Sequence, residues 1–401
     1  MNRLVRKRDD LTIDFKLNSL VIQPTSLCNL NCAYCYLPDR RHNRSMPATT
    51  ASRLADQLAD LELPTPVRLI WHSGEPLSIG LQRFTELLKP FESLRREGKV
   101  RHSIQTNAVL INENWCEVFL NYRFTVGVSL DGPKPMTSNR VDWKGDAAYD
   151  RIIAGIDCLK RSQVSFGVIC VVTQESIGRA RELYDFFVDL GCKAVAFNVV
   201  EIEGVNKNVL VDPATADTTR FWAELLDAWL ENPVVEVREF RKTTVWLHSE
   251  VYDRQSTSIV KDIIPSVGSN GDVVLVSPEF LGMSTPGAYA TFVVGNVLTA
   301  PLSEIISRGL DSDYIRDFIS GIDACERECE YFGFCRGGDA SNKFFELGRL
   351  DTTETSYCRS TKKNLVDAVM LKLGEGMGSS VVKSRSSRTP SQGAVHAESN
   401  E

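Results

Sequence analysis

Between about residue 17 and residue 200, short β-branched runs alternate with segments whose apolar positions recur every three or four residues. LNSLVIQ is followed by a helical pattern over Thr49–Leu61, VRLIWH by one over Leu81–Arg96, and HSIQT by one over Asn112–Tyr122. FTVGVSL then precedes Ala147–Arg161, SFGVICVVT precedes Ile177–Leu190, and KAVAFNVV closes the series. Six strand–helix units in succession predict a parallel sheet with helices outside it, because parallel strands need crossover connections and not hairpins. The expected fold class is α/β, a partial (β/α)6 relative of the TIM barrel. In such sheets the chemistry gathers at the C-terminal ends of the strands.

After Pro213 the pattern turns helical. Ala216–Leu230 carries a stripe of Phe221, Trp222, Leu225, Leu226 and Trp229, which reads as core packing, and a second helix is expected around Trp246–Tyr252. Past Pro265 the texture changes to GSNGDVVLVSP and AYATFVVGNV, two strand-like runs introduced by turn residues. These shifts divide the chain into a barrel with its helical linker over 1–254, a smaller domain over 255–373 and a tail over 374–401. The tail is rich in Ser, Gly, Arg and Glu and is expected to be disordered, since it has too few apolar residues to offset its chain entropy.

Composition narrows the function more than the fold. The 401 residues, 43% hydrophobic, suffice for one large core and a smaller one. Lys and Arg number 46 against 52 Asp and Glu, a formal charge of -6, the wrong sign for a chain whose main partner is nucleic acid or an anionic membrane. The basic runs Arg3–Arg8 and Arg40–Arg44 are short and read as solvated surface. No apolar stretch reaches the length of a membrane span and MNRLVRKRDDL lacks the apolar centre of a signal peptide, so the expected location is cytoplasmic. In that reducing compartment the eleven cysteines read as metal ligands or redox groups before disulfides. Cys116, Cys158, Cys170 and Cys192 stand singly in periodic apolar segments and read as small buried hydrophobes.

The other seven cysteines fall in two groups. In Gln23-Pro-Thr-Ser-Leu-Cys28-Asn-Leu-Asn-Cys32-Ala-Tyr-Cys35-Tyr36 the three thiols follow the first strand directly. Three thiolates can hold three irons of a four-iron, four-sulfur cluster and leave the fourth iron open to a chelating substrate. A three-thiolate zinc site is the alternative, although structural zinc closes with a fourth ligand. The spacing resembles the hallmark of the radical S-adenosylmethionine superfamily. His72-Ser73-Gly74-Glu75-Pro76 after the second strand looks like that family's Gly-Gly-Glu-Pro element, with Ser73 in place of the first Gly. The resemblance implies that Gly74 and Glu75 hold the amino group of the cofactor's methionine moiety, and a carboxylate at a strand end suits an ammonium on chemical grounds. A plain strand-to-helix turn is what Glu75 alone would indicate. Gln105-Thr106-Asn107 and Ser129-Leu130-Asp131-Gly132-Pro133 end the third and fourth strands. In the sulfatase-maturase-like branch the resemblance implies that Ser129 touches the cofactor's ribose or carboxylate and that Arg140 pairs with the carboxylate. Tyr34, Thr106 and Asn107 complete the implied contacts.

Near the C-terminus, Cys325, Cys329 and Cys335, with Cys358 closing the set, offer four thiolates, a full complement for one four-iron cluster with no open iron. A four-thiolate zinc knuckle is the alternative. The group resembles the SPASM domain of peptide-modifying radical enzymes, whose complete pattern builds two auxiliary clusters. Here the hairpin segment 264–278 has no cysteine, and the position four after Cys335 is Asp339. By resemblance the absent thiols all belong to one cluster and the retained four to the other, which implies a single auxiliary 4Fe-4S cluster. The stretch from Cys329 to Arg359, including Asn342-Lys343, looks closest to the peptide cyclophane synthases of glycine-rich-repeat and xenorhabdus-type systems.

The resemblance therefore implies an oxidoreductase that abstracts a hydrogen from a ribosomally synthesised precursor peptide and forms a carbon–carbon cross-link to an aromatic residue. Its cofactors would be S-adenosyl-L-methionine and two 4Fe-4S clusters, its partners the peptide and an electron donor such as flavodoxin or ferredoxin, with no nucleic acid and no membrane. Restoring aromaticity needs a base, for which Asp131, Glu201, Glu203 and Asp339 are unranked candidates. One rival is a maturase oxidising Cys or Ser to formylglycine. The other is a non-catalytic iron–sulfur redox protein, against which stand Glu75, Ser129 and Arg140 at strand ends.

Overall fold

The computed structural model describes residues 4–8, 11–61, 65–206, 218–252, 258–283 and 288–374. Six parallel strands lie side by side in sequence order: β3 (Ser19–Ile22), β4 (Val67–Trp71), β5 (Val100–Thr106), β6 (Thr125–Ser129), β7 (Phe166–Val172) and β8 (Ala194–Val199). They follow a hairpin of β1 (Leu4–Arg8) and β2 (Leu11–Lys16), and β9 (Glu236–Val237) adds a short parallel strand beyond β8. Between the strands run α1 (Ala48–Ala59), α2 (Leu81–Leu88), α3 (Glu92–Arg96), α4 (Glu113–Asn121), α5 (Tyr149–Arg161) and α6 (Ala180–Leu190). This is the α/β partial barrel that the alternation predicts.

Each helix turns an apolar stripe onto the sheet. The strands match it with buried alternate positions, as in β7, where Phe166, Val168, Cys170 and Val172 face one way. Among the buried polar residues of these strands is His102. The His102 ring is enclosed by Trp71, Phe91 and Phe124, accepts at Nδ1 from the Trp71 indole N–H at 3.1 Å, and is held neutral by burial, its pKa lowered to about 4. Cys116, Cys158, Cys170 and Cys192 are buried as small hydrophobes, the first two with sulfurs 3.8 Å apart.

The predicted helix over Leu81–Arg96 is broken into α2, a 3-10 turn over Lys89–Phe91, and α3, because Pro90 removes an amide donor and crowds the preceding turn. After α7 (Thr218–Glu231), whose Trp222 indole donates to Ser360 O at 2.8 Å, α8 (Arg238–Tyr252) starts two turns before the expected helix around Trp246. Its first turns, REFRKTT, are polar enough to hide the period. Of the run read as surface, Leu4–Arg8 contribute the backbone of β1. β10 (Ser258–Asp262) then pairs in parallel with β2.

The boundary expected near residue 255 falls among residues outside those described, as does nearly all of the expected tail. Past it, β11 (Ser266–Val267) pairs in parallel with β3 and antiparallel with β12 (Asp272–Val274), and β13 (Gly295–Asn296) completes a ten-stranded sheet. The hairpin of the smaller region thus extends the barrel's own sheet. AYATFVVGNV is mostly not a strand. Tyr289 and Phe292 turn into an aromatic cluster with Tyr314, Phe344 and Phe280, whose ring stacks on Phe292 at 4.0 Å. The remainder is helical: α9 (Leu302–Gly309), α10 (Asp313–Glu328), α11 (Phe332–Cys335), α12 (Ala340–Leu347) and α13 (Ser356–Cys358). No helix of the described residues is long and apolar enough to cross a membrane.

Candidate active site

From Ile22 the chain enters a long loop, 23–47, held by backbone bonds within itself and to its surroundings. Gln23 N–H donates to Val267 O at 2.9 Å, Cys28 N–H to Arg40 O at 3.0 Å, Asn31 N–H to Val141 O at 2.7 Å and Ala33 N–H to Asn139 O at 3.0 Å. The Trp143 indole donates to Cys28 O at 2.8 Å, and the Arg40 and Arg41 guanidiniums lie 5.4 and 4.4 Å from its ring centroid. Part of the basic run read as solvated surface therefore braces the cysteine loop.

Cys28, Cys32 and Cys35 line one cavity of about 270 Å³ together with Tyr34, Gly74, Glu75, Thr106, Asn107, Ser129 and Arg140. All ten residues expected at the first site face one space. Burial pushes the Cys28 thiol up and the Cys32 thiol up to about 11. The metal-free thiols thus hold protons that metal binding must release.

Glu75 is anchored on both carboxylate oxygens. It is 1% exposed, its Oε1 accepts from Thr106 Oγ1 at 2.7 Å and Leu77 N–H at 3.0 Å, and its Oε2 accepts from Asn107 N–H at 2.8 Å. It also caps the short 3-10 turn Pro76–Ile79, so the plain-turn reading describes part of its work. Burial still lifts its carboxyl to about 7 against the lowering effect of the three donors. A carboxylate has about four acceptor sites, which leaves one for an ammonium. The turn before it is strained. Ser73, at φ 73°, occupies the left-handed region where glycine would rest freely, and a Cβ on Gly74 would meet Thr25 O at 2.5 Å and Leu27 O at 2.8 Å.

Arg140 makes a bidentate pair with Asp131, at 3.0 and 2.8 Å, and lies 5.4 Å from the Tyr34 ring centroid. Asp131 also accepts from the Tyr34 hydroxyl and from Val171 N–H at 2.9 Å. Arg140 thus reaches the cavity with its charge already matched. Ser129 Oγ accepts from Gln105 Nε2 at 2.8 Å.

A second cavity of about 380 Å³ adjoins the first, sharing Asn198, Glu201, Glu203 and Glu279. Its walls include Ile264, Val276, Ser277, Pro278 and Asp339, the segment ends and the position at which the resemblance notes missing cysteines. Glu201 accepts from Asn342 Nδ2 and is lifted to about 8, first by burial and then by the charges of Glu279 and Asp339. Burial likewise raises Glu203 and Glu279. Asp339 behaves oppositely, held down to about 2 by Lys362, 3.4 Å away, with help from Lys261 and Lys242. Glu279 was missed in the sequence. Its only signal is a carboxylate directly after the strand-like run VVLVSP.

The four C-terminal cysteines line a third cavity, of about 440 Å³. Cys325 lies in the last full turn of α10, Cys329 at its C-cap, Cys335 ends α11 and Cys358 ends α13. A hydrogen bond from Cys358 pulls the Cys335 thiol down to about 6. Among the described residues no three His, Cys, Asp or Glu side chains are grouped to hold one metal ion. The thiols surround a volume and do not converge on a point.

The sequence model of the radical SAM superfamily matches residues 22–187. An uncharacterized protein of Synechocystis sp. is 33% identical over 384 residues, 92% of this chain and 95% of its own length. Residues 22–187 thus form a radical SAM domain. A cysteine-type anaerobic sulfatase-maturating enzyme of Clostridium perfringens is 26% identical over 343 residues, covering 80% of this chain and 88% of that one. Among solved structures, native anSMEcpe with bound AdoMet and Cp18Cys peptide matches with a TM-score of 0.72 at 23% identity, over 90% of this chain and 99% of that one. Streptococcus suis SuiB bound to precursor peptide SuiA matches with a TM-score of 0.60 at 22% identity, over 86% and 76%. Both share the partial-barrel fold.

Proposed function

We propose that this protein is a radical S-adenosylmethionine maturase that joins a side-chain carbon of a ribosomally made precursor peptide to an aromatic ring, forming a cyclophane. Cys28, Cys32 and Cys35 hold the first four-iron cluster in this reading, and Cys325, Cys329, Cys335 and Cys358 hold the auxiliary one in a SPASM-like region over 255–373. When bound, the first cluster and S-adenosylmethionine supply a 5′-deoxyadenosyl radical that takes a hydrogen atom from an unactivated carbon. The chain's residues do the rest. Glu75 offers its remaining acceptor site to the methionine ammonium, Asn107 and Thr106 keep that carboxylate aimed, and the Arg140–Asp131–Tyr34 group stiffens the wall beside Cys32.

The observation that carries the cross-linking reading is the sorting of residues between two cavities. The retained thiols surround one. The positions lacking thiols border the other, which adjoins the cofactor cavity and carries Glu201, Glu203 and Glu279. A second auxiliary cluster has no ligands there, so the space is left for substrate. Cross-linking also needs a proton acceptor. Asp131 is taken up by Arg140, and Asp339, at about 2, is a weak base. Glu201, at about 8, is poised near neutral pH, where a general base works best.

The similarity to a sulfatase-maturating enzyme favours a second reading, oxidation of Cys or Ser to formylglycine. Tandem mass spectrometry of the precursor encoded beside this protein, after co-expression, separates the two. Cross-linking gives a peptide two hydrogens lighter per modification, with no backbone fragments between the joined residues. An aldehyde at one Cys or Ser, with full fragmentation across it, would refute the cross-linking reading. An electron donor such as flavodoxin or ferredoxin completes the proposed system.

A further inference from the structure

Lysines crowd the auxiliary thiols, and most have an evident partner. Lys362 pairs with Asp339 at 3.4 Å, Lys363 pairs with Glu354 at 2.5 Å, and Lys261 donates to Gly338 O at 3.1 Å. Lys343, in α12, is different. It is 1% exposed, and its ammonium donates to the Cys325 sulfur at 3.9 Å and lies 5.7 Å from the Phe318 ring centroid. Among the described residues no carboxylate pairs with it. Burying an ammonium without a carboxylate costs several kcal/mol, a cost that a solvated lysine would avoid.

The backbone is shaped to admit that charge. Gly321 stands in the middle of α10, where glycine costs about 1 kcal/mol relative to alanine. A Cβ there would lie 2.7 Å from Lys343 Nζ, 2.4 Å from Leu350 O and 2.9 Å from Thr352 O. The glycine therefore floors a socket that holds the ammonium against the thiol set.

We infer that Lys343 is a positioning residue for electron transfer, whose fixed charge and N–H···S bond raise the reduction potential of the auxiliary cluster. This rests on the reading of Cys325, Cys329, Cys335 and Cys358 as cluster ligands. One-electron reduction adds one negative charge to the cluster, and a nearby ammonium stabilises that state more than the oxidised one. Net charge and hydrogen bonds to sulfur are the terms that set such potentials. The electron would be the one that a cyclised substrate radical gives up as its proton passes to a carboxylate, the substrate losing one electron and the group held by these thiols gaining it. No bond in the protein forms or breaks. The auxiliary site is thereby fitted to accept electrons as well as to brace the fold.

The test uses the full chain with Cys28→Ala, Cys32→Ala and Cys35→Ala, which leaves the auxiliary cluster as the source of the EPR signal. Its midpoint is read by mediated potentiometric titration in that background and with Lys343→Met, Lys343→Gln or Lys343→Arg added. The midpoint should move to more negative potential in the Met and Gln variants and return most of the way in the Arg variant, with iron steady at about four per chain. Equal midpoints in all four proteins overturn the inference. Loss of iron from both neutral variants also overturns it, assigning Lys343 to cluster retention. A background protein that binds no iron refutes the ligand assignment itself, and the inference with it.

Discussion

If Glu75 holds the methionine ammonium, cofactor affinity must depend on pH in a way that Glu75→Gln removes. The Glu75 carboxyl is lifted to about 7 by burial, so its ionised fraction rises from roughly 10% at pH 6 to roughly 90% at pH 8. Ionisation of Glu75 alone should therefore tighten S-adenosylmethionine binding roughly tenfold between pH 6 and pH 8. The ligand's own amino group, of the α-amino type, loses its proton near pH 8 and opposes this, and the Gln variant isolates that opposing term. Gln also keeps the acceptor for Leu77 N–H and Thr106 Oγ1 while turning an amide toward Asn107 N–H. One buried donor is then unsatisfied instead of three, at about 1–3 kcal/mol of stability. At pH 8 the loss of a charge-assisted partner, about 2 kcal/mol, should weaken cofactor binding roughly 30-fold. Stability runs the other way. Burial favours the protonated acid, so the contribution of Glu75 is full below its free value of 4.5 and is lost as pH rises through about 7. Equilibrium dialysis on anaerobically reconstituted protein at pH 6, 7 and 8 measures the affinities. Identical pH profiles for the wild type and Glu75→Gln would remove Glu75 from the ammonium site.

Reconstituted protein should bind about eight irons per chain, and Cys28→Ala, Cys32→Ala and Cys35→Ala together should leave about half, whereas zinc in place of iron would contradict the cluster assignment. Gly74→Ala forces a Cβ to within 2.5 Å of Thr25 O and adds about 1–2 kcal/mol of left-handed strain, so iron at the first site should fall while the auxiliary iron remains. Asp131→Asn leaves Arg140, 5% exposed, without its counter-charge and should cost about 3–5 kcal/mol in chemical denaturation; an unchanged midpoint would show that the pair contributes nothing. Glu201→Gln should permit cleavage of S-adenosylmethionine but stop cross-linking, and wild-type cross-linking should rise with pH through about 8. Normal product from the Gln variant would assign the base elsewhere.

The six parallel strands were legible because each is a short run fully or alternately buried between helices whose apolar stripes are unbroken. Cys28, Cys32, Cys35, Glu75, Thr106 and Asn107 were legible for a related reason: they lie at the ends of successive strands or in the loops that follow, and parallel strands put those ends together. Three features were hidden. α8 opens with charged residues, and β11 to β13 are too short to show a period, so the continuity of hairpin and barrel could not be read from pattern. The socket for Lys343 depends on a helix glycine that, in sequence, looks only like a weak helix former. Glu279 and the sorting of residues between two cavities are long-range juxtapositions, which no local spacing encodes. The Arg140–Asp131 pair was also invisible, since Asp131 reads alone as a candidate base and Arg140 as a partner for the cofactor's carboxylate.

In the proposed reaction this chain generates a radical and uses it on a peptide side chain. Its most direct test supplies reduced, reconstituted protein with S-adenosylmethionine and the neighbouring precursor peptide deuterated in its side chains, and analyses the 5′-deoxyadenosine by mass spectrometry. The expected result is 5′-deoxyadenosine carrying one deuterium, formed in step with a cross-linked peptide that has lost two hydrogen isotopes per modification. Unlabelled 5′-deoxyadenosine beside an unchanged peptide, or none at all from protein with both clusters in place, would contradict it.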